Sequence, residues 1–280
     1  MYMNNISVLS LFDGISCGRL ALDRLGISVN SYYSSEIEPH AIKISQKHYP
    51  DNIQLGDCTK IDYTNLPHIN LLIGGSPCQN LSNVNNKDNR GLEGEKSKLF
   101  YEYVRALREC KPDYFLFENV MSMKNKDRDI ISKLLGVSPL SINSSCVSAQ
   151  NRNRYYWTNI PQSLIIHKNI LFKDILERER EWKDIQKWCN NTYHGKKRID
   201  ELGMITDEKS HTVTTNKTHP HMHYLNKTKT KLTTLSCIEV ERLQTLPDNY
   251  TYGIPNKYRY QCVGNGWTVD VIKELLRGII

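Results

Sequence analysis

The apolar run Ile69-Asn70-Leu71-Leu72-Ile73 breaks into Gly74-Gly75-Ser76-Pro77-Cys78-Gln79-Asn80-Leu81-Ser82. A run this short, closed by glycines, reads as a buried strand that delivers a turn at its carboxyl end, where open α/β sheets place their chemistry. Cys78 stands at the tip of that turn. Free cysteine is most often a small core residue, and this chain has eight, so the thiol alone does not define a nucleophile. A second run adds to it: Asp113-Tyr114-Phe115-Leu116-Phe117-Glu118-Asn119-Val120 is another strand of the buried type, and it ends in a carboxylate. Two parallel strands ending in Cys78 and Glu118 would set a nucleophile and an acid on one rim.

The preceding residues supply more pieces of the same sheet. Ser7 to Phe12 reads as a first strand, and Asp13-Gly14-Ile15-Ser16-Cys17-Gly18 turns from it into a helical pattern with Leu20, Leu22 and Leu25. The turn does not match G-x-G-x-x-G, so a nicotinamide fingerprint is poorly met. A glycine turn at a helix N-terminus can still accept a polar cofactor tail, and a plain strand-to-helix turn looks the same. Val29 to Ser35 reads as a second strand ending at Glu36, an acid placed where such folds hold a ribose hydroxyl. Asp57 follows a third short strand and is placed to receive an adenine amino group. Either acid alone is ordinarily a solvated surface charge; together they suggest a nucleoside cofactor.

Beyond Ser82 the segment Asn83 to Gly91 is polar and too long for a tight turn, a composition common in active-site lids, and Asn80 to Gly91 is the natural cover of a site at Cys78. Lys96 to Cys110 carries Leu99, Tyr103, Ala106, Leu107 and Cys110 on one helical face, and Asp127 to Leu135 reads as a helix. Ser141 to Ser148 and Tyr155 to Asn159 look like paired strands. Between them, Arg152 and Arg154 stand two apart, which in a strand would point both at one side, toward an anion or a carbonyl oxygen or into an exposed salt-bridge face.

After Pro161 the composition shifts toward Lys, Thr, Asn and His, which marks 161–235 as an inserted lobe between 1–160 and 236–280. From Lys209 to Thr234 there are five lysines and no acid, a candidate phosphate-tracking surface. His219, His221 and His223 would share one side of an extended strand, but no Cys or acid stands beside them at ligand spacing, so no metal is expected. Ser236-Cys237-Ile238-Glu239 is a capping-box pattern, and Val271, Ile272, Leu275, Leu276 and Ile279 form one face of a last helix. The net charge of +7 favours a polyanionic partner. No run approaches the roughly 18 apolar residues of a membrane span. With no basic stretch ahead of the first strand and no C-x-x-C pair, reduced thiols and a cytoplasmic location are expected.

Taken in order, these pieces resemble the DNA cytosine-5 methyltransferases over nearly the whole chain. Phe12-Asp13-Gly14 resembles the cofactor loop and Glu36 and Asp57 the ribose and adenine acids. Ser76-Pro77-Cys78-Gln79 resembles the nucleophile motif and Phe117-Glu118-Asn119-Val120 the acid motif. Gln150-Asn151-Arg152-Asn153-Arg154 matches Q-x-R-x-R, Glu239 to Pro247 the helix bracing the recognition lobe, and Gly264-Asn265-Gly266 the closing cofactor motif. The resemblance implies a Rossmann-like α/β sheet of the class I S-adenosylmethionine-dependent methyltransferases, with a small target-recognition lobe inserted. It also implies S-adenosylmethionine held by Phe12, Asp13, Gly14, Ile15 and Cys17, by Glu36 and Ile37, by Asp57 and Cys58, by Pro77, and by Asn265, Gly266 and Trp267. Double-stranded DNA would be met by Ser82 and Arg90 of the polar loop and by Thr214, Thr215, Asn216, Lys217, Lys227 and Lys229 of the lobe.

Within the family, Leu9 to Ile15, Gly74 to Cys78 and Gly266-Trp267 are most similar to the catalytic domains of animal de novo methyltransferases. The likeness stops at two places: Lys111-Pro112-Asp113 lacks the insertion with which those enzymes build an oligomer interface, and Asn216 stands where they have an arginine after the recognition threonines. A monomeric, minimal bacterial or phage enzyme is expected. The roles implied are Cys78 as the thiolate that adds to cytosine carbon 6, Glu118 as the acid at ring N3, Arg154 as the holder of O2, Arg152 as support of the rim and Asn119 as the residue that orders the pocket, all on a base flipped out of its duplex. A non-catalytic DNA-binding relative would lack part of this set. The branch that acts on tRNA carries a Cys-Phe-Thr signature that is absent from the lobe.

Overall fold

The computed structural model describes residues 5–77, 81, 91–94, 97–177, 179, 181–185, 208–215, 219, 222–226 and 228–280. Cys78, Ser82, Arg90, His221, Asn216, Lys217 and Lys227 lie outside the described residues. Contacts divide the chain into two compact units, one of residues 1–142, 153–164 and 272–280 and one of 143–152 and 165–271. That division groups 236–271 with the lobe, because helices there pack on neighbours that follow residue 165; the lobe read from composition alone ends at 235.

The first unit is built on a seven-stranded sheet of order β3-β2-β1-β4-β5-β7-β6. Its strands are β1 (Ile6–Leu11), β2 (Val29–Ser35), β3 (Ile53–Gln54), β4 (Leu71–Gly74), β5 (Tyr114–Val120), β6 (Leu140–Asn143) and β7 (Asn153–Thr158). β1, β2, β3, β4 and β5 pair in parallel, and β7 runs antiparallel to β5. Every residue of β1 is buried, as parallel strands covered on both faces require, and its Leu9 and Leu11 join Leu72, Phe117 and Trp157 in one core. Each such aliphatic side chain contributes about 1.5–3 kcal/mol of transfer free energy.

The helices α1 (Cys17–Leu25), α2 (Pro39–His48), α3 (Phe100–Cys110) and α4 (Asn125–Leu135) follow strands as crossovers, and local chemistry sets several ends. Gly26 and Gly136 close α1 and α4 in the left-handed region, at φ 70 and 74. Pro39 opens α2 behind the capping Glu38. The second of the paired strands is β7, but the first, β6, stops at Asn143. The Asn143 side chain there accepts from the Ser145 amide at 2.9 Å and starts a short 3-10 turn, so 144–148 is not strand.

Gly74 ends β4 at a point of close approach. A Cβ there would stand 2.9 Å from the Leu11 carbonyl and 3.0 Å from the Tyr103 ring. Gly74→Ala is therefore expected to lower the unfolding free energy by about 1–3 kcal/mol, the range for overpacking, in urea denaturation. A change below about 0.5 kcal/mol would mean that β1 and β4 give way freely.

The second unit carries a three-stranded antiparallel sheet of order β8-β10-β9, made of β8 (Lys183–Asp184), β9 (His223–Leu225) and β10 (Lys231–Thr234). Tyr224 packs between Phe172 and Trp182. Helix α5 (Cys237–Leu243) begins with the capping box read from sequence: Ser236 Oγ accepts from the Glu239 amide at 3.1 Å and Glu239 Oε2 from the Ser236 amide at 2.9 Å. Helix α6 (Asn256–Asn265) follows, with buried Arg259 donating to Glu241 at 2.8 Å. His223 is buried with its Nδ1 3.1 Å from Thr234 Oγ1, and among the described residues no cluster of His, Cys, Asp and Glu is placed to hold a metal. No helix among the described residues is long and apolar enough to cross a membrane.

Candidate active site

The carboxyl ends of β1, β2, β4 and β5 converge on one edge of the first unit. The turn after β1 is wound tightly, with Phe12, Gly14 and Ser16 all left-handed at φ 58, 60 and 59. Two of these are not glycine, and such strained backbone persists only where its surroundings hold it. Asp13 does the holding. Its Oδ1 accepts from Ser10 Oγ at 2.6 Å and Tyr32 OH at 2.7 Å, and its Oδ2 from Ser16 Oγ at 2.6 Å and Ser34 Oγ at 3.0 Å. All the acceptor positions of this buried carboxylate are taken. The family resemblance places Asp13 in the cofactor loop, and its carboxylate shapes the turn of that loop from beneath. Ile15 is 0% and Cys17 3% exposed, so they too form the floor and offer almost no surface to a ligand. The signal in the sequence was the hydroxyl pair Ser10 and Ser34, two buried serines that stand opposite each other in β1 and β2.

Burial pushes the Asp13 carboxyl above its ordinary value, and the four hydroxyls offset part of that. With the folded value raised, the stabilisation is complete below the unfolded value of about 3.9 and is lost as pH rises through the folded one. The stability advantage of wild type over Asp13→Asn is thus expected to shrink as pH rises above about 4. Urea titrations of both proteins check this, and an advantage that grows with pH would contradict it.

Glu36 joins this turn to the end of β2. Its Oε2 accepts from the Gly14 amide at 2.8 Å, and its Oε1 from the Ile37 and Glu38 amides at 2.7 and 2.8 Å. Beside it Ile37 is 70% exposed, an apolar side chain held out from the edge of the sheet. Asp57 follows β3 and accepts from the Thr59 amide at 3.0 Å and its hydroxyl at 2.8 Å, bonds that hold its carboxyl below the ordinary value. Cys58 is buried, and burial pushes its thiol up to about 12, which keeps it protonated and inert. None of the six described cysteines forms a disulfide.

The turn after β4 is described as far as Pro77, one residue short of Cys78. Asn119, 1% exposed at the end of β5, donates from Nδ2 to the Ser76 carbonyl and to Ser76 Oγ, both at 3.2 Å. That side chain ties the turn to the acid strand. Glu118, the preceding residue, pairs with Arg154 Nε at 2.9 Å; both side chains are nearly buried, at 11% and 13% exposure. The register of β5 on β7 produces the pair, since Val120 stands opposite Arg154 and Glu118 opposite Tyr156. Arg154 also donates to the Asn153 carbonyl at 2.8 Å.

Arg152 does not join Arg154 on a strand face. β7 starts at Asn153, and Arg152 belongs to the second unit, where its buried guanidinium donates to the Gly266 carbonyl at 3.0 Å and more weakly to that of Gly264 at 3.4 Å. It braces the backbone that carries Asn265, Gly266 and Trp267. Of the lobe residues expected at DNA, Thr215 and Lys229 are exposed and Thr214 is half-buried. Lys209 is not part of a phosphate-tracking surface. Its ammonium donates to the Ser145, Ser148 and Ile170 carbonyls inside the second unit, and burial pushes its pKa down.

A mostly parallel seven-stranded sheet with an antiparallel β7, and acids at the ends of β2 and after β3, defines the class: this is the fold of S-adenosylmethionine-dependent methyltransferases. A family model for the C-5 cytosine-specific DNA methylases matches residues 6–198 and 147–280, and the chain belongs to that family. It is 30% identical over 251 residues to the orphan methyltransferase M.SPRI of Bacillus phage SPR, covering 81% of this chain and 54% of that protein. It is 32% identical over 206 residues to the orphan methyltransferase M.Rho11sI of Bacillus phage rho11s, covering 72% and 40%. The chain thus spans about half the length of these curated relatives. Among solved structures, Entamoeba histolytica methyltransferase EhMeth aligns with a TM-score of 0.79 at 17% identity, over 99% of this chain and 98% of that one. A Spodoptera frugiperda DNMT2 aligns at 0.70 and 18%, over 98% and 99%. At these identities the likeness is one of fold.

Methyltransferases of this family take their methyl group from S-adenosylmethionine, and the first unit suits that cofactor. No atom lies within 4 Å of where a Cβ on Gly14 would stand, so the turn opens outward. Glu36 offers a carboxylate for a ribose diol, and the exposed Ile37 beside it offers an apolar face for a base.

Proposed function

We propose that this chain transfers a methyl group to carbon 5 of a cytosine flipped out of double-stranded DNA, through a covalent adduct at Cys78. The observation that carries the reading is the Glu118–Arg154 pair at the end of β5, tied by Asn119 to the turn that leads into Cys78. Carbon 5 of cytosine is a poor nucleophile and must be activated. The Cys78 thiolate would add to carbon 6 while Glu118 delivers a proton or hydrogen bond to N3, moving electron density onto carbon 5. Arg154, fixed by Glu118, would hold the cytosine O2. S-adenosylmethionine supplies the electrophilic methyl on its sulfonium. Loss of the carbon 5 proton to water, with return of the N3 proton to Glu118, then lets the bond between Cys78 sulfur and carbon 6 break, which returns the thiolate.

In this reading Glu36, Ile37, Asp57 and Pro77 hold the cofactor together with Asn265, Gly266 and Trp267. Glu36→Ala is expected to weaken S-adenosylmethionine binding by about 1–3 kcal/mol, the cost of lost charged hydrogen bonds, with DNA affinity in its absence nearly unchanged. Unchanged cofactor binding by calorimetry would remove Glu36 from that role.

The lobe of 161–235 would read the target, with Thr214, Thr215 and Asn216 setting sequence choice and Lys217, Lys227 and Lys229 tracking phosphates. Kinship with phage orphan methyltransferases supports a cytoplasmic role in marking DNA against nucleases. The test is transfer of labelled methyl from S-adenosylmethionine to duplex DNA and to tRNA in parallel. Label in DNA alone is expected; label in tRNA alone would assign the chain to RNA.

A further inference from the structure

Ser210 to Thr215 crosses the second unit with its backbone tied to the 149–151 segment. The Ser210 amide donates to the Ala149 carbonyl at 2.7 Å and the Asn151 amide to the Ser210 carbonyl at 2.8 Å. The Val213 amide donates to Gln150 Oε1 at 2.7 Å, and Thr212 Oγ1 to the Asn151 carbonyl at 2.8 Å. Gly264 lies directly against the end of this stretch. A Cβ on it would stand 2.8 Å from Thr214 C and Thr215 N and 2.9 Å from Thr214 O, closer than side chains approach backbone. The atoms it would meet are main chain, so no flexible side chain can swing aside.

The segment of Gly264 is itself held. Gln244 Nε2 donates to the Val263 and Gly266 carbonyls at 3.0 and 2.9 Å, beside the bonds from Arg152. Gln244 Oε1 accepts from Gln150 Nε2 at 3.1 Å and from Thr268 Oγ1 at 2.6 Å. Gln150 and Gln244 are both fully buried with the oxygen and nitrogen of each side-chain amide hydrogen-bonded, and buried amides bonded at both ends hold their neighbours rigidly. Gln150 therefore holds the recognition stretch with one end of its amide and the seat beneath Gly264 with the other.

We propose that Gly264 is a positioning residue for DNA-site choice: it sets the height of the Thr214–Thr215 backbone, and any side chain there displaces the residues that meet the target. The proposal rests on the reading of this chain as a DNA methyltransferase. Gly264→Ala would move Thr214 and Thr215 against their anchors by a few tenths of an ångström or more, enough to misalign directional hydrogen bonds to base edges.

The test compares the full-length wild type and Gly264→Ala on a randomised duplex library, with methylated cytosines read by bisulfite sequencing. Because the logo compares sites within one reaction, loss of overall rate or stability does not alter it. The variant is expected to lose about tenfold or more of the discrimination between the preferred and next-best sites, the scale of one mismatched base pair. An active variant with the wild-type logo would overturn the proposal. If wild type methylates no library cytosine, the DNA reading fails, and the proposal with it. If Gly264→Ala does not fold, hydrogen exchange of the wild type decides. Amides of 259–268 are expected to gain protection with the preferred duplex beyond that with a scrambled one, and equal exchange with both would overturn the proposal.

Discussion

Cys78→Ala is expected to bind DNA, yet to form no denaturant-resistant adduct with a duplex containing 5-fluorocytosine, and to lose methyl transfer by about 10⁴-fold or more. Fluorine cannot leave carbon 5 as a cation, so an enzyme that attacks carbon 6 and methylates carbon 5 is trapped on this substrate. Alanine removes the attacking atom, and losing the nucleophile of a concerted set removes most of the chemical rate. The observations behind this are the Asn119 bonds that fix Ser76 two residues before the thiol, and the inertness of Cys58, the nearest alternative thiol in the sequence. Gel electrophoresis in denaturant reads the result. An adduct in the alanine variant would move the nucleophile elsewhere.

The second large effect is at Glu118. Glu118→Gln keeps the shape of the side chain but cannot supply a proton to ring N3, and a fall in methyl transfer of about 10²–10⁴-fold is expected. Glu118→Ala is expected to lose as much activity and also stability, because Arg154 then keeps a nearly buried guanidinium without its carboxylate. Breaking a buried pair costs about 3–5 kcal/mol. The Arg154 side chain is 13% exposed and keeps its bond to the Asn153 carbonyl, so the lower end of that range is expected. Single-turnover methylation and urea denaturation separate the two effects. Wild-type turnover in Glu118→Gln would remove the acid from the mechanism.

The sheet was legible because β1, β4 and β5 are buried along nearly their whole length and leave mostly apolar runs, and each lies within a residue or two of where its run stands. The capping box at Ser236 was legible for a related reason, since its two partners are three residues apart. What sequence did not disclose was the partner of each long polar side chain. Arg152 and Arg154 look equivalent in Q-x-R-x-R, yet one braces the Gly264–Gly266 backbone and the other pairs with Glu118. Lys209 looks like the exposed Lys229 of the same lysine-rich stretch, but its ammonium donates to three carbonyls. Asp13 sits in a cofactor motif while its carboxylate faces four hydroxyls from β1, β2 and the turn. Periodicity decides which face of an element is buried, whereas most of these partners, Ser10 and Ser16 of Asp13 apart, come from crossings between segments 19 to 114 residues apart.

Cytosine-5 methylation of DNA is the central claim, and bisulfite sequencing of plasmid DNA from a host lacking its own cytosine methyltransferases tests it most directly. In cells expressing the wild-type chain, cytosines within one short recurring sequence are expected to resist conversion on the plasmid, and in cells expressing Cys78→Ala all of them should convert. Full conversion with soluble, S-adenosylmethionine-binding wild-type protein, or equal protection in the Cys78→Ala cells, would contradict the account.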